Sequence, residues 1–204
     1  MKVETSNKTT HQTIKWLVSQ TSDQWLAQAI ANPIEILIDH AHCERKAAGF
    51  AVQLMFRYLG EPGLAESLSP LAREELEHFE LVLLTLKKRG HGLRPLPAPP
   101  YGGLLAKEIS KEEPSRMLDS FLVAGLIEAR SHERMTLLSI NSPDKELRTL
   151  YSQLLQSEAR HFCLYWNLAI KRFERSIIIS RLEQLAFAEA SALSSLHSEP
   201  RMHS

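Results

Sequence analysis

Two Glu-x-x-His pairs, Glu75/His78 and Glu158/His161, constrain this chain more than any other feature, because each follows a lone glutamate at nearly the same interval. Glu44 precedes Glu75 by 31 residues and Glu128 precedes Glu158 by 30. Residues three apart on a helix share a face one turn along, so both side chains of such a pair can reach one metal ion. One pair alone says little, since glutamate and histidine are common on exposed helix faces. Two pairs on two long helices, each with its own preceding carboxylate, ask for a fold that brings four helices to one level.

The segments that carry these residues read as helices. Ser22-Asp23 can cap a short helix to about Ala31, and Pro33 to Tyr58 is helical in pattern, with Gly60 as its stop. Pro62 can open the next helix, which runs through Glu75 and His78 to Arg89. Pro70 either kinks it or marks a second start capped by Ser69, and Gly90 and Gly92 close it. RPLPAPPYGG (94–103) and a polar run to Pro114 then make a connection of about two dozen residues, long for neighbouring helices. A crossover of that length is expected where two parallel helices are joined across a bundle. A third long helix spans Pro114 to Ile140. Asn141-Ser142-Pro143 makes a turn with Ser142 capping, and a fourth helix runs from Asp144 to about Phe173. A last helix, Ile177 to Leu196, precedes a polar tail. Residues 1–20 read as loosely structured, with Trp16, Leu17 and Val18 as a docking point. No strand alternation is evident, so the expected class is all-α: a four-helix bundle with a long crossover between its second and third core helices, plus short N-terminal and C-terminal helices. It is expected to be one domain over 1–204, with the core bundle at about 33–173 and the C-terminal helix and tail at 174–204.

Register tests the pairing. In an antiparallel hairpin, two residues face each other when the chain travels equal distances to and from the turn. Glu128 lies 13 residues before Asn141 and Glu158 lies 14 after Asp144, so both stand about 20 Å from the turn. Glu44 is 16 before Gly60 and Glu75 is 13 after Pro62, a near match. Glu133 lies only 8 residues before the turn and fails. The faces agree as well. Leu37, Ala41, Glu44, Ala48 and Ala51 form one stripe, and Leu71, Glu75, His78 and Val82 a second. Phe121, Gly125, Glu128, Ser131 and Met135 form a third, and Leu154, Glu158, His161 and Tyr165 a fourth. Each is apolar or small except at the level of the carboxylates.

Unpaired carboxylates are costly to bury. Four of them around two divalent cations balance charge for charge, and carboxylate plus imidazole without thiolate suits iron or manganese better than structural zinc. Glu44, Glu75, His78, Glu128, Glu158 and His161 are therefore the expected metal ligands and catalytic residues, in the di-iron carboxylate pattern. Their neighbours have plainer readings. Glu74, Glu77 and Glu80 are the solvated flank of the second helix, and His132, one turn past Glu128, reads as a hydrogen-bonded core or surface histidine, with an extra ligand or a partner to a ligand as the alternative. His40 and His42 flank the Glu44 face outside the ligand set. Cys43 and Cys163 are small buried thiols, and Lys171, Arg172 and Arg175 a solvated helix end. Small residues at Ala41, Ala48, Ala51, Ala124 and Gly125 either leave room for a substrate or let helices pack closely.

Composition excludes some classes. Lysine plus arginine and aspartate plus glutamate balance at 24 each, which argues against a dominant electrostatic grip on nucleic acid, although a local basic patch can hide in a neutral total. No segment reads as a bilayer span or a signal peptide, and two cysteines make no disulfide framework. A cytoplasmic location is the expectation.

The runs DHAHCERKAAGFA (39–51), SPLAREELEHFELV (69–82), GLIEARSHERM (125–135) and SEARHF (157–162) resemble the MiaE-type tRNA hydroxylases, and the resemblance extends from about Pro33 to Phe173. It implies a ferritin-like, non-haem di-iron monooxygenase that hydroxylates the isopentenyl group of 2-methylthio-N6-isopentenyladenosine next to the tRNA anticodon. It also implies two iron ions on the six residues above, O2 as co-substrate, electrons from an external reductase, and tRNA as partner. Arg89, Arg94, Lys107, Lys111, Arg116, Lys171 and Arg172 are candidates for phosphate contact. Iron storage, rubrerythrin-like peroxide detoxification, radical generation and a metal-free helical adaptor are the alternatives. A rubrerythrin-like Cys-x-x-Cys module is absent, and the tyrosine of a radical generator would fall at Val82.

Overall fold

The computed structural model describes residues 16–204; the reading of residues 1–15 as loosely structured lies outside them. Seven helices form among the described residues, and no strand. They are α1 (Asp23–Ala31), α2 (Pro33–Arg57), α3 (Leu64–Lys88), α4 (Pro100–Glu108), α5 (Ser115–Asn141), α6 (Lys145–Ile170) and α7 (Arg175–Ala192). Among the described residues no helix is long and apolar enough to cross a membrane. α2 pairs with α3 and α5 with α6, each through a short turn, and α3 lies against α6 to close a four-helix bundle. Arg172 ties one end of it, donating to the Pro62 carbonyl at 2.9 Å and to Glu61 at 3.2 Å.

Local chemistry explains the helix ends. Ser22 Oγ accepts the Trp25 N–H at 3.1 Å to cap α1. α3 begins at Leu64, not Pro62, because Gly63 takes φ +72° at its cap, a region glycine enters without a Cβ clash. Pro70 does not restart the helix, which is continuous through it. It lies on the exposed face, where water can take the Glu66 carbonyl that its missing N–H leaves free. At the other end Gly90 sits at φ +77°. Its N–H bonds the Lys87 carbonyl and that of His91 the Leu86 carbonyl, both at 3.0 Å, the paired bonds that satisfy a helix C-terminus. Asp144, not Ser142, caps α6, accepting the N–H groups of Glu146 and Leu147 at 2.9 and 3.3 Å; α5 runs on to Asn141 and uses Ser142 as its C-cap.

Two elements depart from expectation. The crossover contains a helix, α4, which proline and paired glycine hide in the sequence. Its buried Tyr101 and Leu105 hold it, and it packs on α7. The polar tail is buried at its end, at Arg201, Met202, His203 and Ser204. Asp39 accepts the Met202 N–H at 2.7 Å, Trp25 Nε1 donates to the Arg201 carbonyl at 2.9 Å, and Arg134 donates to the carbonyls of Ser204, at 3.0 Å, and Met202. The docking of the N-terminal segment rests on Trp16, buried against Phe162 and Trp166, while Val18 is exposed. The Trp16 ring fills the space over Gly125, where a Cβ would stand 2.3 Å from Cη2. Packing therefore explains that glycine.

Candidate metal centre

The four stripes turn inward, and their carboxylates and histidines meet. Glu44, Glu75, His78 and Glu158 each offer a ligand atom, all within 4.8 Å of one another, and so do Glu75, Glu128, Glu158 and His161. Either group could hold a metal ion, and Glu75 and Glu158 belong to both. The two imidazole rings lie 5.7 Å apart.

Hydrogen bonding sets which ring nitrogens face the carboxylates. Ser157 Oγ donates its one proton to the Leu154 carbonyl at 2.8 Å, so its 2.9 Å contact with His78 Nε2 makes that nitrogen the donor. In a neutral His78 the bare Nδ1 lone pair then points at Glu44, Glu75 and Glu158, 3.6–3.8 Å away. His161 Nε2 donates to Glu74 Oε2 at 2.9 Å, and its Nδ1 lies 2.7 Å from Glu75 Oε1. Neither of those last two atoms makes a hydrogen bond, nor do Glu75 Oε2, His78 Nδ1 and Glu158 Oε1, all of them buried. Lone pairs converging on carboxylate oxygens repel unless protons or metal cations stand among them, and two metal ions satisfy all of them at once. The residues fit a metal pair on that ground.

The carboxylates respond as a cation-free cluster must. Burial, reinforced by the negative neighbours, pushes Glu75 and Glu158 well above the usual range, and burial raises Glu128 to about 7. Burial would raise Glu44 too, but the charge and hydrogen bond of His40 outweigh it and hold Glu44 low. His40, one turn before Glu44, is buried against it and stacks on Tyr151 at 5.8 Å. Burial lowers His161 and so favours its neutral form, the one able to bind metal.

The other sequence-level readings fare unevenly. Glu133 faces away, accepting from Thr21 and Arg130. His132 packs edge-on against Phe162 outside both groups. Glu74 corrects the reading of a purely solvated flank, since it reaches across to His161 and Arg160. Cys163 is exposed and Cys43 half-buried, so neither is the expected buried thiol. Arg89, Arg94 and Arg172 are held by Asp144 and Glu146, by Glu35 and by Glu61, while Lys107, Lys111 and Lys171 are exposed. His40, Glu74 and Ser157 are the site residues that sequence reasoning missed. The one available signal was the helical spacing of His40 and Glu44.

A largely apolar cavity of about 410 Å³ opens beside the cluster. Glu44, Glu75, Glu128 and Glu158 line its buried part with Val123, Ala124 and Tyr165, and His203 and Tyr101 form a further wall, stacked at 5.0 Å. The crossover and the tail thus enclose space next to the ligand candidates.

Comparison with known proteins places the chain in a family and beside a solved structure named for another activity. The family described as tRNA-(MS[2]IO[6]A)-hydroxylase (MiaE) matches residues 8–204. A Pseudomonas putida protein named tRNA 2-(methylsulfanyl)-N(6)-isopentenyladenosine(37) hydroxylase is 40% identical over 184 residues, covering 90% of this chain and 89% of that one. A Salmonella typhimurium protein of the same name is 27% identical, covering 94% of this chain and 88% of that one. Among solved structures, "Protein 43 with aldehyde deformylating oxygenase activity from Synechococcus" is 65% identical with a TM-score of 0.92, covering 94% of this chain and 96% of its own.

Proposed function

The chain belongs to the MiaE family of tRNA hydroxylases, and from that premise we propose that it is an O2-dependent di-iron monooxygenase acting on the isopentenyl group of the modified adenosine beside the tRNA anticodon. The observation that carries the reading is the cluster beside the cavity, where six buried or nearly buried ligand candidates converge and buried atoms of Glu75, His78, Glu158 and His161 lack hydrogen-bond partners, an arrangement that a pair of cations reconciles. Glu75 and Glu158 would contact both ions, Glu44 and His78 one of them, Glu128 and His161 the other. Two iron ions there would supply the reductive activation of O2, which no side chain can perform.

The chain's own residues supply position and exclusion. Ser157 and Glu74 hold the outer nitrogens of His78 and His161, fixing both rings with Nδ1 inward. The apolar walls at Val123, Ala124 and Ile127 suit a short hydrocarbon group and keep water from the reacting bond. Placing one oxygen atom of O2 in a C–H bond and releasing the other as water consumes two electrons and two protons, and a separate reductase would deliver the electrons. The site is recessed, so the base would leave the anticodon stack to reach it. The activity belongs in the cytoplasm, with tRNA.

The 65% identical Synechococcus protein favours a second reading, aldehyde deformylation at the same centre, since an apolar cavity also admits an aliphatic aldehyde. Mass spectrometry separates the two. Cells lacking the gene should lose the hydroxylated isopentenyl nucleoside and accumulate its precursor. The wild-type gene should restore it, and Glu75→Ala or Glu158→Ala should not, the purified variants also losing bound iron. Unchanged tRNA nucleosides, with the reduced iron protein converting an aldehyde to an alkane, would replace the first reading by the second. Variants that keep the iron content of the wild type would sink both.

A further inference from the structure

Two glycines of the crossover helix have no explanation inside the fold. Gly102 and Gly103 lie in α4, which is nine residues long, and glycine there is unfavourable against alanine. Neither adopts positive φ, which among the glycines occurs at Gly63 and Gly90. A Cβ on either would meet nothing within 4 Å, in contrast to Gly125 with its Trp16 neighbour. Backbone conformation and packing therefore leave both glycines unaccounted for. What they do border is the cavity. Both are exposed at its mouth with Ala98 and Ala106, and Lys46 of α2 is exposed there too. Inside the same cavity the buried oxygens of Glu75 and Glu158 lack partners. The remaining use of glycine is to let a bulky ligand come close to the backbone.

We propose that the bare backbone at Gly102-Gly103 seats the flat base of an RNA nucleotide whose apolar substituent enters the cavity, with Lys46 at the rim taking a neighbouring phosphate. This deepens the hydroxylase reading and rests on it for the identity of the base. A slim aldehyde has no flat, bulky part that calls for an uncovered helix face, so the two glycines set nucleotide against aldehyde.

The test is direct binding of an isopentenyl-adenosine anticodon stem–loop RNA to the iron-loaded protein, read by fluorescence anisotropy. Gly102→Ala/Gly103→Ala adds methyls into open space in a helix, so it should raise the melting temperature and keep the iron content. It should nevertheless bind the RNA tenfold or more weakly, and Gly103→Leu more weakly still. Lys46→Glu should weaken binding and reduce its salt slope by about 1. An RNA bound tightly by the wild type but never hydroxylated would remove the function reading and leave this one standing. Equal binding by wild type and the double-alanine variant, or no binding by the wild type, overturns the proposal.

Discussion

Glu74 shows how much one side chain can escape a sequence reading. Its position among Glu77 and Glu80 suggests a solvated flank, yet its Oε2 accepts the His161 Nε2 proton at 2.9 Å. Burial works against its charge, but the bonds from His161 and Arg160 prevail and keep it ionised. Such a partner fixes the tautomer and the ring plane of a ligand histidine, and its loss typically weakens metal affinity by about 10- to 100-fold. Glu74→Ala should fall in that range in an anaerobic ferrous titration, and Glu74→Gln, which keeps an acceptor oxygen, should recover part of it. An alanine variant with wild-type affinity would show that Glu74 only decorates the surface. The six ligand candidates were legible because helical period and hairpin register project spacing directly onto space. Glu74 on α3 and Ser157 on α6 act across a helix–helix boundary, which no spacing within one helix reveals.

At the scale of elements, the four long helices of the bundle were legible to within a few residues, and α4 and the tail were not. Both are held by tertiary partners. Arg134, buried over the Trp25 ring at 4.3 Å, spends its guanidinium on tail carbonyls, and burial pushes it down to about 10. A charged hydrogen bond of that kind contributes roughly 1.5–3 kcal/mol. Arg134→Ala is therefore expected to cost about 2–4 kcal/mol in urea denaturation. Arg134→Lys should restore only part, since an ammonium lacks the planar fork that spans two carbonyls. A loss below about 1 kcal/mol would mean that the tail is not anchored this way.

The whole molecule carries a charge problem whose sign shows in its pH dependence. In metal-free protein Glu75, Glu158 and Glu128 are raised, Glu128 to about 7 from an ordinary 4.5. The folded state then keeps protons that the unfolded chain has already shed. That contribution is complete below 4.5 and is lost as pH rises through the folded values. Glu44 runs the other way below the ordinary 4.5, and so do His132, His161 and His203, which burial lowers and whose opposing contribution is complete once pH passes the ordinary 6.5. The metal-free melting temperature should fall from pH 6.5 to pH 8, where the histidines no longer oppose the glutamates, and ferrous iron, which displaces those protons, should restore most at the alkaline end. A metal-free protein that gains stability over that interval would show that the cluster is not buried as described.

What the sequence by itself determined is the level at which four helices meet and the six side chains that meet there, because both follow from helical period, hairpin length and the cost of burying charge. The walls around that level were decided only by the tertiary structure. A Pro/Gly-rich crossover, a polar tail and a second layer of hydrogen-bond partners have no periodic signature. They become ordered when Glu189, Asp39, Arg134 and His161 offer them partners from elsewhere in the chain.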